Sequence, residues 1–226
     1  MDLALEIVTQ EGHDALTMQR IATGLDCGIA TVYRLFPSRD ALVAELLHQA
    51  LDTLHGSWLL GLSHLDDYLA KAAVAGADAA LARALGAAWF WVVAEDTYGP
   101  EIDLARRLFI DRDIVVPDDQ AALVVPASLR LLNEGRQRID DAVEAGALEP
   151  GNGVERAIVL IASITGVVLT AKFSRWDASL FDARALAARA TQDAFRAWGA
   201  PPEAIEAAFA IVDGLDHTRG LAPRVG

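Results

Sequence analysis

The stretch that decides the fold of this chain is LTMQRIATGLDCGIATVYRLFPSRDALVAELL, residues 16–47. Thr17 is suited to cap a helix, because its hydroxyl can accept a hydrogen bond from the free amides of the first turn. Apolar side chains then follow at the spacing of one helix face, at Met18, Ile21, Ala22 and Leu25. The pattern predicts a short amphipathic helix that begins directly after Thr17.

A second short helix is predicted after a tight turn. Asp26 can adopt the left-handed backbone that such a turn requires. The apolar face is then repeated at Ile29, Val32 and Phe36. Pro37 ends this helix, because the residue before a proline avoids helical geometry, and Ser38 caps the next one. With an earlier amphipathic helix that ends at Gly12, the outline is a helix-turn-helix, a motif that lays its second helix in the DNA major groove.

This segment resembles the DNA-binding end of the TetR family of bacterial regulators over residues 3 to about 47. The positions that match the family's spacing are Ile21-Ala22, Thr31, Tyr33, Phe36, Pro37-Ser38 and Leu42. The resemblance implies that Thr31 and Tyr33 project towards DNA, and that Arg39, where the family usually has lysine, holds a phosphate. Further candidates for contact with phosphates or bases are Thr17, Arg20 and Arg34.

The charge of the segment favours an alternative. Residues 1–50 carry three basic and seven acidic side chains, a net charge of −4. Phosphate neutralisation supplies most non-specific DNA affinity, so a DNA reader is ordinarily basic. Departures from the family pattern remove polar or cationic groups or add a negative charge, at Asp26, Gly28, Ile29 and Leu35. The alternative is therefore a ligand-binding or protein-partner module that keeps the fold and has weakened or lost DNA binding.

The composition of the chain predicts an all-α protein. It has 226 residues, a net charge of −13 and 53% hydrophobic residues, many of them alanine and leucine, which favour helix. We expect a helix-turn-helix DNA-binding domain at 1–47 and a larger helical ligand-binding and dimerisation domain at 48–226. We expect no signal peptide, because no basic and then apolar leader is seen before the first helix, and the uncharged run at 157–171 is short for a bilayer span. We therefore expect a cytoplasmic protein with no membrane partner.

The sequence contains few residue patterns that are typical of catalytic, metal-binding or cofactor-binding sites. His48 and His55 are seven residues apart rather than the four of a metalloprotease helix, and no Cys/His cluster marks a zinc site. No nucleophile elbow or nucleotide-binding glycine loop is present. The sequence predicts no enzyme, cofactor or metal, although a helical enzyme that uses an internal pocket is a third interpretation.

Beyond residue 47, the helix limits are predicted only from residues that commonly end or begin helices, such as glycine and proline. We expect the fourth helix to run from Arg39 to about Leu62, with a loop near Ser63-His64 and helices near 65–83 and 84–97. Gly99-Pro100 should break the chain. We also expect the last dozen residues to be frayed.

Residues 154–173 predict a dimer. This segment is apolar on nearly every face, so one face should meet something beyond the chain's own core. Small side chains that let a partner helix approach closely lie at Ala162, Ser163 and Gly166. The TetR resemblance implies that the helices at 154–174 and 182–198 form a four-helix interface with a second copy, which gives a two-fold symmetric reader of two half-sites.

Aromatic residues predict an effector pocket in the helical domain. Ligand sites are mostly apolar with a few placed polar groups. The candidate lining residues are Trp58, Trp89, Trp91, Tyr98, Phe109 and Asn133. The alternative for each aromatic is an ordinary core position. By resemblance, a small molecule in this pocket would shift the fourth helix and release the protein from its operator.

Overall fold

The computed structural model describes residues 2–12, 15–110, 118–216 and 220–225. Within these ranges the chain is helical and contains no β-strand, which confirms the predicted all-α class. The helices, in chain order, are α1 (Asp2–Glu11), α2 (Met18–Gly24), α3 (Ile29–Leu35), α4 (Arg39–Lys71), α5 (Gly76–Ile110), α6 (Asp118–Glu144), α7 (Gly153–Leu169), α8 (Ala183–Ala197) and α9 (Pro202–Asp216). A 3-10 turn, Thr170–Phe173, follows α7.

The chain divides into two compact units. Unit 1 comprises Met1–His55 and Tyr98–Arg130, and unit 2 comprises Gly56–Thr97 and Leu131–Gly226. Both units are discontinuous in sequence, and α4, α5 and α6 each contribute residues to both.

Local signals in unit 1 set the helix-turn-helix as predicted. The Thr17 hydroxyl accepts a hydrogen bond from the Arg20 amide at 3.2 Å, which caps α2. Asp26 adopts a positive φ of 48° in the turn. The helix α3 ends at Leu35, and the Ser38 hydroxyl accepts from the Ala41 amide at 3.0 Å at the start of α4. These three capping and turn predictions are confirmed.

Two apolar positions of the helix-turn-helix were predicted wrongly. Leu25 is 55% exposed, because α2 ends at Gly24 and the chain turns away from the helical face there. Ile29 is also exposed, because α3 spans only two turns and buries Val32 towards α2. The core between these helices is therefore smaller than the sequence pattern indicated.

Unit 2 is built on a close approach of α4 and α5. A Cβ added to Gly86 would lie 2.7 Å from a methyl of Leu65, so any larger residue there would require the Leu65 side chain to shift. Leu65 and Leu69 are buried along the same face of α4. The loop predicted at Ser63-His64 is therefore wrong, because burial of these leucines carries α4 on to Lys71.

The division predicted between helices near 65–83 and 84–97 is wrong, because α5 begins at Gly76 and runs through that point without interruption. The break predicted at Gly99-Pro100 is confirmed. Tyr98 takes non-helical angles, φ −128° and ψ 36°, so that two helical segments of α5 meet at a kink where the proline removes a backbone donor.

The final described segment, residues 220–225, packs on α4, and we call it the C-terminal strap. Leu221 is completely buried. The buried Ser57 hydroxyl donates to the Pro223 carbonyl at 2.8 Å. Fraying was therefore the wrong prediction for these residues, because backbone and side chains of the strap fit against small residues of α4.

Two segments are long and apolar enough to cross a membrane, judged by length and composition only. In residues 76–106, 78% of the most apolar 18-residue window is buried, as expected for a core helix. In residues 153–173, only 17% of the corresponding window is buried. The segment 153–173 is longer than the uncharged run 157–171 within it, so its length alone does not exclude that it crosses a membrane. Its low burial leaves α7 with an apolar face that nothing in the described chain covers.

Candidate nucleic-acid interface and internal cavity

Six residues predicted to meet DNA lie on α2, on α3 and beside them. We call them the candidate DNA surface: Thr17, Arg20, Thr31, Tyr33, Arg34 and Arg39. The two helices pack on each other through buried apolar side chains of α2 and through Val32 of α3. This packing fixes the exposed side of α3 as a rigid ridge.

The exposed side of α3 combines one cation with apolar groups. Tyr33 is 49% exposed, Arg34 is exposed, and Thr31 is half-buried between them. No ion pair of Arg34 is found within the described residues. Leu35 and Ile29 are exposed on the same short helix. The ridge can therefore offer one unengaged guanidinium, a phenol and methyl groups, and methyl groups are suited to contact with thymine.

The other two arginines of the candidate DNA surface are held by protein groups. Arg20 forms an ion pair with Glu11 of α1. Arg39 is half-buried, and its Nε donates to the Leu16 carbonyl at 2.8 Å. Sequence reasoning did not anticipate either contact, because each joins residues that lie in different elements. Of these three arginines, Arg34 is the one that no described residue engages.

Unit 2 contains a small cavity of about 40 Å³, partly open to solvent, which we call the Trp58 cavity. Side chains from α4, α5, α6 and α7 line it. Two of the predicted ligand-binding aromatics, Trp58 and Trp91, are among them. The opposite walls carry small or branched apolar residues, for example Ala84, Ala88, Leu160 and Ile164. Effector sites for drug-sized molecules are roughly 300–1,000 Å³, so this cavity must enlarge to hold one.

The aromatic rings of the Trp58 cavity form a packed cluster. Trp58 stacks on Phe90 at a centroid distance of 5.7 Å and meets Trp91 edge-on at 5.6 Å. Trp58 is only 1% exposed, and its indole Nε1 has no hydrogen-bond partner. A buried donor without a partner costs about 1–3 kcal/mol. One ring of this cluster therefore carries a buried donor without a partner.

The remaining predicted ligand residues do not line this cavity. Trp89 packs edge-on against Phe209 of α9 at 5.4 Å, and Tyr98 is buried at the kink of α5. Asn133 is exposed and accepts a hydrogen bond from Arg136 Nε at 3.0 Å. The side chain of Phe109 lies outside the described residues.

Gly135 lines the cavity and was missed by sequence reasoning. A Cβ at this position would lie 3.5 Å from Trp58 Cη2, so the glycine leaves the space in front of the indole open. Glycine inside a helix costs about 1 kcal/mol relative to alanine. An isolated glycine within an otherwise regular helical pattern is therefore a sequence signal for a close approach or a cavity.

The predicted dimer residues lie on the uncovered face of α7. Ala162, Ser163 and Gly166 are all exposed, and nothing lies within 4 Å of a Cβ added to Gly166. Val159, one turn earlier, is 54% exposed. The opposite face of α7 buries Leu160 and Ile164, which line the Trp58 cavity. The helix also contacts α8.

The connection between α7 and α8 contains a hydrogen-bonded turn at an exposed carboxylate. Asp177 Oδ1 accepts from the Ser179 hydroxyl at 2.7 Å and from the amides of Ser179 and Leu180 at 3.0 Å each. These hydrogen bonds hold the pKa of Asp177 below its usual range, and the bond from the Ser179 side chain has the largest effect.

In the part of the chain that is described, no group of three or more His, Cys, Asp or Glu side chains is arranged to hold a metal ion.

Comparison with known proteins supports the sequence interpretation. Residues 1–46 match the family model described as bacterial regulatory proteins, tetR family. The fold is similar to the crystal structure of PfmR, a TetR family transcriptional regulator from Thermus thermophilus, with a TM-score of 0.51 over 94% of this chain and 93% of that one. The two sequences are 17% identical, so the likeness concerns the fold alone. No curated protein matches the sequence closely enough to count as a relative. The resemblance predicted from the sequence is confirmed for the N-terminal segment, residues 1–46, which matches a model of bacterial regulatory proteins.

Proposed function

We propose that this chain, whose N-terminal segment belongs to the TetR family of bacterial regulatory proteins, is a DNA-binding transcriptional regulator. It acts as a homodimer that occupies an operator and leaves it when a small molecule enters the helical domain. The DNA-binding domain is residues 1–47, and residues 48–226 bind the effector and form the dimer. The observation that carries the proposal is the exposed ridge of α3, where Tyr33 is exposed at a position that the family resemblance places towards DNA and Arg34 is exposed next to it.

The homodimer is supported by the face of α7. An exposed apolar stripe follows the helix at intervals of three and four residues, at Ile158, Val159, Ala162, Gly166 and Leu169. Small side chains in its centre let a second helix approach closely. A second copy is a better cover for this face than lipid. The neighbouring α8 exposes Arg184, Arg189 and Arg196, whose charges a bilayer would not accept. We therefore place the protein in the cytoplasm.

Release requires differential binding. An effector shifts the protein off DNA only if it binds the released conformation more tightly than the DNA-bound one. The helix α4 carries Trp58 in the cavity wall and begins at Arg39 beside the candidate DNA surface. A ligand that displaces Trp58 therefore acts on the helix that leads to the DNA-binding domain.

A second function is favoured by the electrostatics of the DNA surface. The segment 1–50 is acidic, and Glu11 pairs with one of its three arginines. These features favour a TetR-like module that binds a ligand or a protein partner and no longer holds an operator. For the protein to act as a regulator, the contacts of Thr31, Tyr33 and Arg34 with DNA must be sufficient to hold the operator at low salt.

Fluorescence anisotropy separates the two functions. The purified protein is titrated onto the DNA upstream of its own gene and onto a scrambled duplex, at two salt concentrations. A regulator binds the upstream DNA more tightly than the scrambled one, and affinity falls with salt. Equal, negligible binding to both duplexes and to a genome-fragment library would favour the module without operator binding.

A further inference from the structure

The segment formed by α7 and the turn after it is uncharged in the middle and charged at its two ends. No Asp, Glu, Lys or Arg occurs at residues 157–171, whereas Glu155 precedes this run and Lys172 follows it. Both end residues are exposed. Glu155 is two turns before Ala162, so it lies on the side of α7 that carries the exposed stripe. Among the described residues neither charge has an ion-pair partner, although the Lys172 ammonium lies 5.2 Å from the centre of the Phe173 ring.

The two charges are placed symmetrically about the middle of the stripe. The midpoint between Glu155 and Lys172 in the sequence falls directly after Ser163. Ile158 and Leu169, two exposed apolar residues of the stripe, have the same midpoint. When two copies of α7 run in opposite directions and cross at this midpoint, each Glu155 is level with the partner's Lys172. Each Ile158 is then level with the partner's Leu169, so that charge meets opposite charge and apolar surface meets apolar surface.

Charge also distinguishes between the two possible directions of the second helix. In a parallel pair, Glu155 would lie beside the partner's Glu155 and Lys172 beside the partner's Lys172. Like charges that face each other in an interface oppose association, whereas opposite charges favour it. The distribution of charge therefore favours the antiparallel pair, which a two-fold axis perpendicular to the helices produces.

Aromatic residues directly after α7 extend the same surface. Trp176 is 65% exposed, and Phe173 stacks on it at a centroid distance of 5.4 Å. The Arg175 guanidinium lies 4.0 Å from the centre of the Trp176 ring. Tryptophan and arginine are enriched in protein interfaces. In the antiparallel pair this cluster reaches the first turn of the partner's helix, where Val154 is exposed.

We propose that α7 pairs with α7 of a second copy in antiparallel orientation, crosses it beside Ser163, and forms an ion pair at each end between Glu155 and the partner's Lys172. The pairing rests on the proposed homodimer, and the two charges give that dimer its orientation and register. An apolar helix face by itself accepts many other apolar helices. A wrong partner or a shifted register leaves Glu155 and Lys172 without opposite charges, so these residues determine specificity.

Charge reversals test the ion pairs. In Glu155→Lys two cations meet at each end of the interface, so the dissociation constant of the dimer should rise about tenfold. Lys172→Glu should have the same effect, because two carboxylates then meet. The double variant Glu155→Lys/Lys172→Glu exchanges the charges and should return to within about threefold of the parent protein. Fluorescence-detected sedimentation velocity over a concentration series measures these constants.

Matched controls make the same charge changes outside α7. Glu206→Lys reverses an exposed carboxylate of α9, and Lys71→Glu reverses the other lysine of the chain, which is exposed at the end of α4. Neither variant should change the dissociation constant of the dimer. A change of total charge is the same in these controls as in the two variants of the interface, so it cannot account for a difference between them.

A cross-link tests the register independently of affinity. Cys27, the one cysteine of the chain, is first replaced by serine, and Glu155→Cys and Lys172→Cys are introduced singly and together. Bismaleimidoethane, a short thiol cross-linker, should join two chains of the double variant, because positions 155 and 172 of different copies lie side by side. Neither single variant should be joined, since its two cysteines lie about 26 Å apart along the helices of the dimer. Mass spectrometry of the linked peptides identifies the joined positions.

Several outcomes would overturn the proposal. Cross-linking of either single variant would require a parallel or a shifted pair. Single reversals that leave the dissociation constant unchanged, or a double variant that is weaker than both single ones, would exclude the ion pairs. In these cases a dimeric parent protein would keep the homodimer of the proposed function and lose only its orientation. A monomeric parent protein would refute that homodimer as well, and would assign the face of α7 to a different partner.

Discussion

Gly61 of α4 faces the backbone of Leu221 in the C-terminal strap: a Cβ on Gly61 would lie 1.8 Å from the Leu221 carbonyl oxygen. No side chain can occupy that distance, and the atom in the way is backbone, which cannot rotate aside. Glycine at this position is thus a condition for seating the strap. Because Leu221 is fully buried, the contact belongs to the core of unit 2.

Gly61→Ala should therefore destabilise the protein. We expect a loss of about 1–3 kcal/mol in the free energy of unfolding, because the strap must shift and Leu221 must leave its site. Urea denaturation followed by circular dichroism measures this loss. Gly56→Ala, on the same helix, is the matched control: its Cβ would lie 3.9 Å from Val225, an ordinary contact, so this variant should gain up to about 1 kcal/mol from helix propensity. Equal stabilities of the two variants would contradict the packing described.

Glu11→Gln should strengthen DNA binding by releasing Arg20. The Arg20–Glu11 pair is exposed, so removing it should raise affinity by no more than about fivefold at low salt. The slope of log affinity against log salt should steepen by about one as Arg20 becomes free to meet a phosphate. Glu6→Gln removes the same charge from an exposed position of α1 that holds no arginine. Indistinguishable salt slopes for the two variants would show that Arg20 does not reach DNA.

Ala162→Asp should separate the proposed dimer into monomers. A carboxylate in the centre of the exposed stripe of α7 would be buried without a partner when two copies associate. Light scattering after size exclusion should give twice the chain mass of 24.1 kDa for the parent and 24.1 kDa for the variant. Ala207→Asp introduces the same charge on the exposed side of α9 and should remain dimeric. A parent protein that is already monomeric would refute the homodimer.

Ser179→Ala should raise the pKa of Asp177 towards the ordinary value of 3.8. The depressed pKa means that the carboxylate is favoured in the folded turn, so the turn is stabilised above pH 3.8 and loses that stabilisation as pH falls through the folded pKa. Titration of the Asp177 carboxyl carbon by NMR gives both pKa values. An unchanged pKa in Ser179→Ala would mean that the hydroxyl does not donate to Asp177 in solution.

Local signals explain why the N-terminal helices were predicted well. The Thr17 cap, the positive φ at Asp26 and the stop at Pro37 each depend on residues within four positions, so the sequence contains the complete cause. The Gly99-Pro100 signal is equally local, and the interruption of α5 at Tyr98 follows from it, because the proline removes a backbone donor.

Contacts between distant residues explain what was missed. Nothing near Ser63 in sequence shows that Leu65 packs on Gly86, and this contact helps carry α4 to Lys71. In the same way, Trp58 and Trp91 were identified as pocket residues by their aromatic bulk. Trp89 has the same bulk, but it packs on Phe209, and only the three-dimensional arrangement separates these cases.

The C-terminal strap has a consequence for the order of folding. The hydrogen bond between Ser57 and Pro223 joins residues 166 positions apart, and unit 2 is assembled from two separated stretches of chain. Contacts of such high sequence separation form slowly, because a long loop must close before they contribute. During synthesis α4 therefore emerges long before the segment that buries it, and its apolar face around Gly61 is exposed in the meantime. Unit 2 should reach its native packing only after residue 225 is free to dock, whereas the helix-turn-helix can form from its local signals at once.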